Sequence, residues 1–133
     1  MNVNSLVRQY FVNYLSNFHP VFDKRQGINN ANLCYLVTSQ SKNIVKDTKC
    51  GSVNEVNIDI EIIQRLERSP NSVSTKVLED MELEVINAYD SINLSTFVIS
   101  NKQYSSASLI TEMNADNTNR ILVNINLNLW NNE

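Results

Sequence analysis

The side chains of this 133-residue chain that could act as nucleophiles, bases or metal ligands are few and stand far apart. A Ser or Cys nucleophile needs a base within reach. His19, the single histidine, sits before Pro20 at what reads as a helix end, where it serves as a helix-terminal residue. Cys34 and Cys50 have no neighbouring His or Cys at zinc-site spacing. Gly27 and Gly51 stand alone, so no glycine-rich loop can cradle a phosphate. Carboxylates do gather at Glu79, Asp80, Glu82, Glu84 and Asp90. Paired acids can move protons or hold a divalent cation, which would give Glu79 and Glu84 an enzymatic role. Spread around a helix as they are, they read more simply as a solvated face. The expectation is a protein with no catalytic residues, no cofactor and no metal, so its chemistry is sought in its surfaces.

Those surfaces must be carried by a folded core. The apolar fraction is 42% and the charged fraction 19%, which is the balance of a globular chain rather than a disordered one. Its length fits a single domain spanning residues 1–133. A net charge of −3 with scattered Lys and Arg argues against gripping nucleic acid through phosphates. The chain has no apolar run long enough for a membrane span, and its first residues, MNVNSLVRQYFVNYL, lack the layout of a signal peptide. It is expected to stay in the cytosol where it is made. Polarity rests on 22 Asn and 14 Ser, which supply hydrogen bonds without charge. The same excess of Asn would also follow from an AT-rich genome.

Val3, Leu6, Val7, Tyr10, Phe11, Tyr14, Leu15 and Phe18 recur at helical spacing, predicting a first helix that ends at His19-Pro20. Residues 32–38 read as a strand, and residues 43–49 as a second strand folded back through the turn Ser39-Gln40-Ser41-Lys42. That hairpin would set Cys34 nearly opposite Cys50. A disulfide is conceivable there, whereas a reducing cytosol favours two small buried thiols. Val56, Ile58, Ile60 and Ile62 alternate with Asn57, Asp59 and Glu61, predicting a strand with one covered face. A second helix follows over about residues 74–89, capped by Ser72 or Ser74, with Val77, Leu78, Met81, Val85, Ala88 and Tyr89 aligned. Two strands close the chain, around 94–99 and 120–130. In the last, Ile121, Val123, Ile125, Leu127 and Leu129 face inward, and Asn124, Asn126 and Asn128 face outward with Trp130. The predicted fold is α+β in two layers, a mostly antiparallel sheet covered by two helices in the order α-β-β-β-α-β-β.

Two features exceed what a core requires. Leu83 and Ile86 fall on the side of the second helix away from Val77, Met81 and Val85, an apolar pair among acids. The Asn ladder of the last strand, ending in Trp130, places poor strand formers beside a large aromatic that a partner can reach. Leu83, Ile86, Asn124, Asn126, Asn128 and Trp130 are the candidate subunit-interface residues. The alternatives are ordinary surface residues for the pair, and a solvated sheet face with Trp130 folded back onto the core.

The order of a leading helix, a hairpin, an alternating strand, a second helix and two closing strands resembles tail-terminator and head-to-tail neck (connector) proteins of tailed bacteriophages. The resemblance covers nearly the whole chain. Its most suggestive segment is VNIDIEIIQRLERSPNSVSTKVLEDMELEVINAYD, an acid-bearing strand linked through Arg and Ser to a helix. The resemblance implies a structural virion subunit, made in the host cytoplasm, that forms a homo-oligomeric ring in the neck or at the head-proximal end of the tail. Its partners would be neighbouring phage neck, portal or tail proteins, with genomic DNA only a passing cargo and no membrane contact. A closed ring needs each subunit to offer two different patches. The alternative is an intracellular, non-catalytic protein-binding module, an adaptor or inhibitor using the same residues in a one-to-one complex.

Overall fold

The computed structural model describes residues 3–23, 33–44, 53–65, 75–94, 97–110 and 118–131. Its elements are α1 (Val3–Leu15), β1 (Val21–Phe22), β2 (Leu33–Ile44), β3 (Val53–Arg65), α2 (Thr75–Ser91), β4 (Phe97–Ile110) and β5 (Thr118–Asn131). They form an α+β fold in the order α-β-β-β-α-β-β, with one five-stranded sheet ordered β1-β2-β3-β5-β4. The short β1 runs parallel to β2, and every other pairing is antiparallel. Among the described residues no helix is long and apolar enough to cross a membrane.

The core follows from two periodicities. Along α1, Val3, Val7, Phe11 and Leu15 recur every fourth residue and are all buried. On α2, Leu78, Met81, Val85 and Ala88 recur at alternating three- and four-residue spacing and are likewise buried. In β3 and β5 the period is two. Val56, Ile58, Ile60 and Ile62 lie with Ile121, Val123, Ile125, Leu127 and Leu129 against both helices in one cluster. Each fully buried Val, Leu or Ile contributes about 1.5–3 kcal/mol of transfer free energy, so this cluster is the main source of stability. Two tyrosines tie α2 to its neighbours. The Tyr10 hydroxyl donates to the Ala88 carbonyl at 2.7 Å, joining α1 to α2, and the Tyr35 hydroxyl of β2 donates to the Met81 carbonyl at 3.3 Å.

The first helix stops at Leu15, short of the expected His19-Pro20. The Phe18 and His19 amides both bond back to the Leu15 carbonyl, closing a tight turn. Phe18 therefore leaves the apolar stripe and is exposed. Pro20 then accepts a bond from the Tyr35 amide at 2.9 Å, which starts β1 alongside β2.

The predicted hairpin is corrected. Ser39, Gln40, Ser41 and Lys42 lie inside β2, which continues straight to Ile44. Its antiparallel partner is β3, in a register that sets Cys34 opposite Ile63. No Gly, Pro or Asn in that tetrapeptide demands a turn, and long-range pairing with β3 takes up the backbone groups on that side of the strand. Cys34 is fully buried as a thiol, packed with Leu36, Ile63 and Phe22. Cys50, Ser72 and Ser74 lie outside the described residues. β4 is also longer than the predicted 94–99 segment, taking in the polar run from Ser100 to Ser108.

Candidate contact surface

Because α1 and α2 pack on one side of the sheet, the other side carries its own set of residues. Strand pairing lines these up in rows across β2, β3, β5 and β4. One row runs Gln40, Asn57, Asn126, Gln103, and the next Thr38, Asp59, Asn124, Ser105. The Asn ladder expected on β5 is therefore the middle of a wider polar band, and all three ladder residues are half-buried.

The ladder is held by its neighbours. The Asn124 side-chain amide donates to Asp59 at 2.7 Å, and that of Asn126 donates to Glu55 at 2.7 Å and to Asn57 at 2.8 Å. Bonds to charged carboxylates are stronger than neutral ones, so these residues hold the amides in fixed orientations. Asn128 contributes through its backbone, whose carbonyl accepts from the Ser100 hydroxyl at 3.3 Å. Further along the same face, Arg120 lies 3.6 Å from Glu61.

Apolar groups flank this band. At one end Trp130 is half-buried in a row with Val53, which is buried, and Val98, which is 47% exposed. At the other end lie Leu122 and the cluster of Cys34, Leu36 and Ile63. Trp130 thus stays on the outer face with the Asn ladder, as its even position in β5 requires.

On the opposite side of the molecule, Leu83 is 52% exposed on the outward side of α2. Ile86 is half-buried, which corrects its grouping with Leu83. At roughly 100° per helical residue, Leu83 stands opposite Met81 whereas Ile86 lies some 60° round toward the core stripe. Glu79, Asp80 and Asp90 are exposed around them. Glu82 instead faces β4, where it accepts from the Tyr104 hydroxyl at 3.0 Å. Burial, reinforced by that bond and the Glu82 charge, holds the Tyr104 phenol well above the ordinary tyrosine range. Burial and then the Glu84 charge do the same to Tyr35.

Among the described residues no group of three or more His, Cys, Asp or Glu is placed to hold a metal ion. The His19 and Tyr35 rings meet in an edge arrangement, 5.9 Å between centroids. What the arrangement can do is present two unlike surfaces on opposite sides of one rigid sheet. Sequence reasoning missed the contribution of β4, Gln103 and Ser105 above all, because the run from Ser100 to Ser108 shows no apolar alternation. Of the ladder's partners, Asn57 and Asp59 were legible as the outward face of β3, whereas Glu55 lay before the recognised alternation, and the pairing of all three with β5 was not legible. No family model matches the chain, and no curated protein does.

Proposed function

We propose that this chain is a structural virion subunit that forms a ring in the neck or at the head-proximal end of the tail of a tailed bacteriophage, joining capsid and portal to tail. The observation that carries the reading is the opposition of two chemically different surfaces. Leu83 and its acidic surround point away from the sheet on α2, while the amide band with Trp130 and Val98 points the other way. A connector meets unlike neighbours at the same time, and a rigid body with unlike faces suits that task. The coarse order α-β-β-β-α-β-β, without the expected hairpin, is in keeping with the same reading. Glu55, Asp59 and Glu61 on the sheet face would repel rather than grip a passing DNA backbone.

The test is to purify phage particles from the source and locate the chain on them by antibody labelling under the electron microscope. Label at the capsid–tail junction is the expected result. Absence of the chain from particles would overturn the reading and leave an intracellular protein-binding module in its place.

A further inference from the structure

The two faces of the sheet leave its edges to be explained. β4 is an edge strand of 14 residues, and every residue from Ser100 to Ala107 except Tyr104 is exposed, on both faces of the sheet. Among the described residues no strand lies beyond it. An exposed edge of this length displays backbone N–H and C=O groups that template another strand, and proteins usually guard it with Pro, charge or short length. β4 has no Pro and one bulge, between Ile99 and Asn101. Its single Lys is drawn onto α2, where the Lys102 ammonium sits 4.7 Å from the Tyr89 ring and bonds to the Tyr89 carbonyl at 3.1 Å.

The opposite edge is open in a matching place. β1 pairs with β2 only at Tyr35 and Leu36, so Val37–Ile44 has no described strand on the side away from β3, and Thr38, Gln40 and Ser41 are exposed. Three successive antiparallel pairings make β4 run opposite to β2. Rotation about an axis along the strands preserves direction, so the β2 of a neighbouring copy would meet β4 antiparallel, continuing the alternation already present. The heights agree as well, since Gln40 and Gln103 end the same row, as do Thr38 and Ser105. Both ends of the first row are exposed carboxamides, able to extend the row of side-chain amides across the junction.

We infer that copies of this chain join edge to edge, β4 of one pairing with Val37–Ile44 of the next, so that the sheet continues from subunit to subunit. This rests on the ring reading for its rotational symmetry. It leaves the helix face and the amide face free for contacts with other proteins.

Paired residues in adjacent antiparallel strands have Cβ atoms about 5 Å apart, within reach of a short thiol cross-linker. Full-length Gln40→Cys and Gln103→Cys chains, each also carrying Cys50→Ser, are co-expressed in cells producing the assembly and then cross-linked. Both changed side chains are exposed, and the Cys34 thiol is shielded by burial. The expected result is a covalent dimer when both variants are present and its loss when either is expressed alone. A dimer formed by Gln103→Cys chains alone would show two-fold β4-to-β4 pairing and overturn the inference. Particles that contain the chain, yet give no dimer and no slowing of amide exchange over residues 100–107 relative to the monomer, would overturn edge pairing and leave the ring standing. Mixed dimers found only outside particles would uphold the edge contact and overturn the virion role. A chain that is monomeric and absent from particles would overturn both.

Discussion

Replacing Leu83 with Asp separates a surface used for contact from one that merely holds the fold. Leu83 is 52% exposed, so the monomer loses roughly half of the 1.5–3 kcal/mol that full burial of Leu is worth, about 1 kcal/mol. Asp is a poorer helix former than Leu by about 0.5 kcal/mol. The new carboxylate also stands four residues from Glu79 and three from Asp80, each repulsion costing about 0.2–0.5 kcal/mol. The sum is about 2 kcal/mol, well inside the 5–15 kcal/mol stability of a typical domain. Leu83→Asp is therefore expected to unfold cooperatively in urea with a modestly lowered midpoint and an unchanged slope, while incorporation into particles falls sharply. Assembly suffers because a charge trapped in a desolvated contact is far costlier than the same charge in water. Val85→Asp, aimed into the core, is the reference for a failed fold. Loss of stability comparable to Val85→Asp would refute the placement of Leu83, and undiminished incorporation would refute its role in contact. Ile86→Asp falls between the two, since Ile86 is half-buried.

Three further outcomes follow from the structure. The phenols of Tyr10, Tyr35, Tyr89 and Tyr104 are all raised in the fold, mainly by burial; the unfolded chain then releases their protons first, so stability is intact below pH of about 10 and falls as pH rises beyond it. Tyr104→Phe should flatten that alkaline decline in a urea-midpoint series against pH, and an unchanged decline would contradict the role given to Tyr104. Asn126→Ala removes the donor shared by Glu55 and Asn57 and should cost about 1 kcal/mol in chemical denaturation; no change would mean that water replaces the ladder without loss. Cys34 should resist a thiol reagent in the native state and react on unfolding, and peptide mapping without reductant should show no Cys34–Cys50 bridge, because Cys34 pairs with Ile63.

Local pattern alone marked the apolar faces that make the main core. The period of two in Val56–Ile62 and Ile121–Leu129, and the period of about 3.6 in both helices, each mark one apolar face whatever the neighbouring element is. The outward turn of Asn124, Asn126, Asn128 and Trp130 follows from the same alternation. Which strands touch was decided only by the tertiary structure, because backbone hydrogen bonds are alike for every residue and do not encode a partner. Thus Ser39–Lys42, polar enough to be a turn, became strand once β3 lay beside it, and the Asn ladder met Glu55, Asn57 and Asp59 from 65 or more residues away. Most of β4 escaped notice because its inward side carries Lys102, Tyr104 and Ser106 in place of an apolar alternation, and Lys102 and Tyr104 reach α2 through polar bonds. Ile86 was misjudged for a related reason: helical spacing gives an angle, but how far the neighbouring layer wraps around the helix sets whether a residue at that angle is buried.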